Sequence, residues 1–327
     1  MSAATISVFD MFKIGIGPSS SHTMGPMTAA YRFAKSLADQ GLLARVAQVT
    51  VALYGSLALT GKGHATDTAV TTGLAGWLPA QVDPDAAAKL IEEVRQHGKI
   101  LLAGSHQIDF RIERDIHWKY KESLPYHPNA LTLFARDANG ELLLEATFYS
   151  VGGGFVVSDE EAKSPATATT ATAVPLPFSD GAELLEVAES NGLTIAEVMM
   201  RNECAIRTRE EVLAGLDRIA EAMNSCIDRG LRQEGVLPGG LNVKRRAAKL
   251  RAALEKREQT QSVDALIAMD WINAWALAVN EENAAGGKVV TAPTNGAAGV
   301  VPAVLRYYDR YCNGTREGRH ILSLIHI

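Results

Sequence analysis

The sequence is short of cysteine and has no excess of basic residues, and both shortages exclude classes of protein. Its three cysteines are Cys204, Cys226 and Cys312, an odd and widely spaced set that suits neither a disulfide framework nor a CxxC metal or redox motif. With 32 Lys and Arg against 37 Asp and Glu, the chain offers no basic stripe to a nucleic-acid backbone. We therefore expect no nucleic-acid partner.

Long apolar runs are also lacking. The uncharged stretches at 164–179 and 289–305 contain prolines and polar residues and do not supply the roughly 20 apolar residues of a membrane span. The N-terminus has an acid within its short apolar stretch and no basic segment before it, so it does not resemble a secretory signal. We expect a cytoplasmic protein with no membrane partner.

Apolar residues make up 47% of the 327 positions, enough for a folded chain of a length typical of two domains. In the first half, helical spacing over 23–41 and 84–98 and alternation over 48–54 predict two helices and a strand. Further short strands are predicted at 99–104, 106–110, 129–136 and 141–150. A hairpin-turn signal at 137–140 separates the last two. Residues 1–159 are therefore predicted to form an α+β domain with an antiparallel sheet.

The composition changes at residues 160–178, which are rich in Ala, Thr and Pro. Such a stretch lacks the large apolar side chains of a core, so we interpret it as an interdomain linker. Beyond it the alternation disappears and helical periodicity dominates. Residues 179–327 are predicted to form an all-α domain.

Residues 15–25 (GIGPSSSHTMG) place three serines, His22 and Thr23 where a helix begins. Free backbone N–H groups and hydroxyls at that position suit a carboxylate or a phosphate. Ordinary helix capping is the alternative, although one hydroxyl would suffice for it.

Residues 54–64 (YGSLALTGKGH) follow the predicted strand, and we interpret them as a mobile, glycine-rich loop that presents Lys62 and His64. The segment is not a P-loop, because five residues separate Gly55 from Gly61 and because Gly63 follows the lysine. We therefore exclude nucleotide binding. His64 can exchange a proton near neutral pH, although a loop histidine is more often simply solvated.

Two further segments carry weaker candidates. Ser150 precedes three glycines that either admit a ligand or end a strand, and His127 is a candidate of similar weight. In the second half, Thr294, Asn295 and Gly296 would converge at a helix start, as an amino-acid carboxylate requires. An Asn-Gly turn is the alternative there, and Pro302 is expected to interrupt the helix at 298–311.

Four stretches of the chain resemble the bacterial iron–sulfur L-serine dehydratases in their order and approximate spacing. They are FDMFKIGIGPSSSHTMGP, YGSLALTGKGH, YSVGGGF and NEENAAGGKVVTAPTNGAAGVVPAVL. The resemblance implies an L-serine ammonia-lyase that forms pyruvate and ammonia, acts on L-serine as its small-molecule partner and forms a homodimer. It also implies a 4Fe–4S cluster whose open iron acts as a Lewis acid on the substrate hydroxyl.

The resemblance assigns roles to individual residues. His64 matches the expected base for the α-proton, a task that suits an imidazole near pH 7. The implied substrate-binding set, which also shapes the cleft, comprises Ser19, Ser20, Ser21, His22, Thr23, Lys62, His127, Ser150, Thr294, Asn295 and Gly296.

Members of that family continue past the position where this sequence stops, and their cluster cysteines lie there. The resemblance therefore implies no cluster ligand within residues 1–327, an incomplete helical domain, and a truncated chain that is inactive alone. Two other interpretations stay open. One is a pyridoxal-phosphate dehydratase that uses Lys62 or Lys288, and the other is a non-catalytic serine-binding regulatory module. The motifs of the helical half favour catalysis over sensing.

Overall fold

The computed structural model describes residues 7–163, 174–239, 241–260, 266–291 and 294–325. The chain divides into two compact units. The α+β unit comprises Gly15–Pro165 and Asn283–Lys288, and the helical unit comprises Met1–Ile14, Ala166–Glu282 and Val289–Ile327.

The strands and helices follow one another along the chain in the order that their numbers give. The strands are β1 (Ile14–Ile16), β2 (Gln48–Tyr54), β3 (Lys99–Leu102), β4 (His106–Asp109), β5 (Ile116–Lys119), β6 (Asn129–Arg136), β7 (Leu142–Gly152), β8 (Phe155–Ser158) and β9 (Lys288–Val290). The helices are α1 (Val8–Met11), α2 (Gly25–Asp39), α3 (Gly55–Thr60), α4 (Thr66–Leu74), α5 (Pro84–His97), α6 (Ile112–Asp115), α7 (Asp159–Lys163), α8 (Gly181–Ser190), α9 (Ile195–Cys204), α10 (Arg209–Gly230), α11 (Ala247–Thr260), α12 (Ile267–Ala284), α13 (Val300–Tyr311) and α14 (Arg316–Ile325).

The α+β unit is built on a sheet in the order β5-β2-β6-β7-β8. Its pairs are antiparallel except that β2 and β5 run parallel. The predicted α+β fold class is confirmed. The parallel pairing of β2 with β5 differs from the predicted antiparallel sheet, because β5 was not predicted. Fully buried Phe33 and Leu37 of α2 pack with Val49 and Leu53 of β2 in the core between helix and sheet. This packing holds α2 against β2, and the candidate site is built from residues just before α2 and just after β2.

Two local predictions are confirmed where a single side chain specifies the turn. In the β6–β7 hairpin, Asp137 Oδ1 accepts a hydrogen bond from Asn139 N at 2.8 Å, and Gly140 has a φ of 83°. Helix α5 begins where Asp83 accepts from Asp85 N and Ala86 N, as an N-cap does. Local sequence chemistry is sufficient in both cases.

The segment at 54–64 is helical, so its interpretation as a mobile loop is wrong. Gly55, at a φ of 50°, turns the chain directly from β2 into α3, and a 3-10 turn over Gly61–His64 follows. The backbone N–H groups of Gly55 and Ser56 donate to Glu122 O and Pro128 O at 2.9 and 3.0 Å. These long-range bonds are absent from the local sequence pattern, and they hold His64 on a packed turn.

Two smaller predictions also need correction. Ser150 lies inside β7 rather than at the strand's end, because β7 continues to Gly152, and Gly152, Gly153 and Gly154 turn the chain into β8 with positive φ. Pro302 does not interrupt α13, because it lies in the first turn of that helix, where its missing N–H has no partner to lose.

The helical unit is confirmed as mostly α-helical. Helix α1 belongs to its core, because Val8 and Phe12 pack with residues of α9, α10, α13 and α14. Val8 N also donates to Glu203 Oε1 at 2.8 Å. No helix in the described part of the chain is long and apolar enough to span a membrane.

The sequence segment 283–288 belongs to the α+β unit for a specific reason. Asn283 Nδ2 donates to Pro18 O at 3.1 Å, and Gly17 N donates to Gly287 O at 3.0 Å.

Most of the predicted linker, residues 164–173, lies outside the described residues, and its first part is in α7.

Candidate functional site

Two histidines of the α+β unit lie together, with ring centroids 4.8 Å apart. His22 is in a π-helical turn, Ser20–Met24, that leads into α2, and His64 ends the 3-10 turn after α3. Both side chains are partly buried. The structure therefore joins the GPSSSHT and GKGH segments, and we call His22 and His64 the histidine pair.

His64 has a defined tautomer. Its Nδ1 lies 2.9 Å from the backbone oxygen of Thr60, and a carbonyl oxygen only accepts, so Nδ1 carries the proton. In the neutral ring Nε2 then keeps its lone pair. Within the described residues that nitrogen has no hydrogen-bond partner. His64 can therefore take up a proton from a ligand.

His22 is held through both ring nitrogens. Its Nδ1 lies 2.9 Å from Ser21 Oγ and its Nε2 lies 3.0 Å from Ser56 Oγ. Burial lowers the pKa of His22, the neighbouring His64 lowers it further, and a hydrogen bond with Ser56 opposes the shift. The lowered pKa favours the neutral form of His22 beside His64. Ser56 was missed by the sequence analysis, although it lies inside the YGSLALTGKGH segment.

The three serines of the GPSSSHT segment differ in their contacts. Ser19 is the cap of the π-helical turn, and its Oγ accepts from His22 N at 3.3 Å. Ser21 Oγ instead contacts the His22 ring, and Ser20 is partly exposed. The Ser19 hydroxyl performs the capping role, and the Ser21 hydroxyl contributes a polar group beside the histidine pair.

Two threonines connect the backbones of the two histidine segments. Thr23 Oγ1 donates to His64 O at 2.8 Å, and Thr66 Oγ1 donates to His22 O at 2.6 Å. Both threonines are buried, at 2% and 0% exposure. The Thr23 hydroxyl therefore has a partner within the protein.

The other candidates of the α+β unit differ in exposure. Lys62 is exposed, with Nζ 5.6 Å from the centroid of the Trp118 ring. His127 Nδ1 accepts from Asn129 N at 3.1 Å, and Asn129 Nδ2 donates to Ser150 O at 3.3 Å. Asn129, which sequence reasoning missed, therefore links His127 to Ser150.

Ser150 is fully buried. Its Oγ has no hydrogen-bond partner among the described residues and lies only 1.9 Å from where a Cβ on Gly25 would be. Gly25 thus lets the start of α2 approach β7. The same approach covers the Ser150 hydroxyl.

The three candidates near residue 295 belong to the helical unit. Thr294 Oγ1 accepts from Ala297 N at 3.3 Å and caps the 3-10 turn Asn295–Ala297. Thr294 and Gly296 are exposed, whereas Asn295 is 3% exposed. Thr294 thus has the capping role of a local turn.

The two carboxylates of the NEEN segment are buried and fully engaged. Glu282 forms ion pairs with Arg229 and Arg245, the latter at 2.6 Å. Glu281 accepts from Arg246 N and Ala247 N at 2.7 and 3.2 Å, which caps the start of α11. These carboxylates hold helices of the helical unit together.

The described cysteines do not fit an iron–sulfur cluster. Cluster ligation requires thiolates, yet burial raises the pKa of Cys226 to about 12. Cys204 and Cys312 are exposed and are not part of a disulfide. Among the residues described, no group of three or more His, Cys, Asp or Glu side chains is arranged to hold a metal ion.

Known families match nearly the whole chain. The serine dehydratase beta chain model matches residues 7–161, and the serine dehydratase alpha chain model matches residues 190–326. An L-serine dehydratase of Streptomyces coelicolor is 49% identical over 312 residues, which cover 95% of this chain and 68% of the relative. L-serine dehydratase 2 of Escherichia coli is 47% identical over 321 residues, covering 97% of this chain and 70% of the relative. Both units contribute residues to these matches.

Proposed function

Because this chain belongs to the serine dehydratase family, we propose that it acts as an L-serine ammonia-lyase, which converts L-serine to pyruvate and ammonia. The observation that carries the proposal is the state of His64. Its Nδ1 proton is committed to Thr60 O at 2.9 Å, which leaves Nε2 as the basic nitrogen. Loss of water from serine requires removal of the α-proton, and a positioned neutral imidazole can accept it.

The surroundings of His64 support this role. The pKa of His22 is lowered by burial and by His64, so the pair does not place a second positive charge beside the base as it takes up a proton. Hydroxyls of Ser19, Ser20 and Ser21 provide hydrogen bonds for the substrate's polar groups, and exposed Lys62 provides a cation for its carboxylate. We propose His22, Thr23, His127 and Ser150 as further residues of the α+β unit that bind substrate or shape its site. In the helical unit we propose Thr294, Asn295 and Gly296 as further substrate-binding residues.

The cofactor proposal rests on the family resemblance. A 4Fe–4S cluster would supply Lewis acidity toward the substrate hydroxyl, and its ligands are expected outside the described residues. A cytoplasmic homodimer is proposed on the same resemblance.

The first test separates binding from turnover. Titration calorimetry of the chain with L-serine, D-serine and L-alanine measures recognition without any cofactor. Pyruvate release then measures the reaction in cluster-loaded protein, by which we mean this chain extended at its C-terminus to the length of its relatives and reconstituted anaerobically with iron and sulfide. His64→Asn is the test variant, and His97→Asn, at an exposed histidine, is its control.

We expect L-serine-selective binding by all three proteins, and pyruvate from the cluster-loaded protein except in His64→Asn. Absence of L-serine-selective binding would contradict the proposal. Selective binding with no pyruvate from cluster-loaded protein would support the regulatory module instead. A bound-cofactor absorbance band removed by Lys62→Ala or Lys288→Ala would support the pyridoxal-phosphate enzyme.

A further inference from the structure

Buried threonines of the α+β unit use their hydroxyls in two different ways. In α4, Thr71 and Thr72 donate to the carbonyls of Asp67 and Thr68, four residues earlier in the same helix. This local bond is the common fate of a helical threonine. A valine in place of such a threonine would remove one bond within a single helix.

Thr23 and Thr66, which we call the threonine pair, instead donate to carbonyls that are distant in the sequence. Thr23 donates to the carbonyl of His64, 41 residues away, and Thr66 donates to the carbonyl of His22, 44 residues away. Each threonine thus bonds the backbone of the histidine on the opposite segment. The two bonds are reciprocal, and they act on the residues whose rings lie 4.8 Å apart.

The backbone between His64 and Thr66 is strained. Ala65 has a φ of 53°, in the left-handed region, which is unfavourable for a residue with a Cβ. Such a conformation persists where surrounding contacts over-determine it. The hydroxyl of Thr66 and the carbonyl of His64, on either side of Ala65, supply two of those contacts.

We propose that the threonine pair positions the histidine pair, with Thr66 holding His22 and Thr23 holding His64 in the relative geometry that the reaction needs. The contribution to catalysis rests on the proposed function, whereas the contribution to ring geometry does not. Thr66 is a positioning residue, since it acts through the backbone of His22. A small displacement of a base can reduce turnover by about 10²-fold.

The experiment compares Thr66→Val, which keeps the branched shape and loses the hydroxyl, with Thr66→Ser, which keeps the hydroxyl. Thr72→Val is the matched control, because Thr72 is also buried in α4 and also loses one bond. The readout is the nuclear Overhauser effect between ring protons of His22 and His64 in selectively histidine-labelled protein. Thr23→Val provides an independent second variant.

We expect the ring-to-ring effect in the wild type, Thr66→Ser and Thr72→Val, and at least a threefold loss in Thr66→Val and Thr23→Val. Retention of the effect in both Val variants at the pair, or an equal loss in Thr72→Val, would overturn the proposal. This readout needs no turnover, so it decides the positioning role even if the chain does not act on L-serine.

Activity provides a second arm in cluster-loaded protein. Thr66→Val should lower kcat by about 10- to 100-fold with KM changed less than threefold, and Thr66→Ser should restore most of kcat. A similar loss of kcat in Thr72→Val would show that general destabilisation, and not positioning, causes the effect.

Discussion

The polar, glycine-rich segments of the two units use their functional groups differently. In the helical unit, Glu281 and Glu282 are almost fully buried, and backbone N–H groups or arginines engage both carboxylates. In the α+β unit, His22 and His64 are only partly buried, and His64 Nε2 has no partner among the described residues. Full satisfaction suits a structural role, whereas an unengaged basic nitrogen suits chemistry.

This contrast explains why the same kind of sequence signal carries different weight. Serine, asparagine, glutamate and glycine are enriched both at helix ends and at ligand sites. The sequence does not show which hydrogen bonds are already made within the protein. The difference between the units is therefore a difference in unsatisfied hydrogen-bonding capacity, and substitutions can test it.

The largest expected effect is on turnover. In cluster-loaded protein, His64→Asn should reduce kcat by about 10²–10⁴-fold, because a positioned general base contributes that much. The asparagine amide can still donate to Thr60 O, so the urea midpoint should stay close to that of the wild type. Pyruvate formation and urea unfolding measure the two quantities.

His97→Asn should change neither quantity, since His97 is exposed at the end of α5. If His64→Asn unfolded the protein without a specific loss of kcat, the histidine pair would have a structural role, as the buried carboxylates of the helical unit do. The comparison would then fail.

The second effect is on stability in the helical unit. Glu282→Gln leaves Arg229 and Arg245 beside a neutral amide, and loss of one partner of a buried ion pair costs about 3–5 kcal/mol. The free energy of unfolding, measured in urea, should fall by that amount. L-serine binding by the folded fraction should persist.

A matched variant is available on α11. Glu255 pairs with Arg251 at 2.7 Å, but both side chains are about two-fifths exposed, so Glu255→Gln should cost only about 0–1 kcal/mol. Equal costs for Glu255→Gln and Glu282→Gln would contradict the structural role given to Glu282.

The third effect concerns the close approach of α2 and β7. Gly25→Ala would place a Cβ 1.9 Å from Ser150 Oγ, and overpacking of this kind costs about 1–3 kcal/mol. Ser150→Gly in the same chain removes the obstructing atoms and should recover part of the loss. Urea unfolding of the two single variants and the double variant measures the coupling. Additive costs would show that the contact does not constrain α2.

Elements specified by local chemistry were predictable from the sequence. Strand β6 matches its predicted bounds, and α5 lies between Asp83 and Gly98 as the cap signals indicate. Strands β5 and β8 were missed. β5 lies parallel beside β2 and is not joined to it by a hairpin, whereas β8 follows the glycine turn after β7 and consists of only four residues.

The sequence predicted which segments form the candidate site but not which residues within them are in contact. His22 and His64 stand in polar segments that the sequence brings to attention. Ser56, Thr66 and Asn129 gave no signal of their own, because their importance comes from partners that are distant in sequence. Conversely, the acidic NEEN segment belongs to a stretch that carries the family resemblance, although its glutamates bind groups of the protein itself.

The smallest expected effect is a pH dependence of stability that belongs to His22. Its folded pKa is lowered from 6.5 by burial and by His64, so the unfolded chain binds more protons between that lowered value and pH 6.5. Stability must therefore rise with pH in this window. It is retained above 6.5 and is lost as the pH falls through the folded pKa. Stability should therefore depend on pH less in a variant that lacks the His22 ring.

Urea midpoints of the wild type, His22→Asn and His97→Asn between about pH 5 and pH 8 isolate the contribution of His22. The loss of stability on the acid side should shrink in His22→Asn alone. A greater acid-side loss in that variant would mean that His22 is charged in the folded protein. The neutral surroundings of His64 would then no longer distinguish this site from the ion pairs of the helical unit.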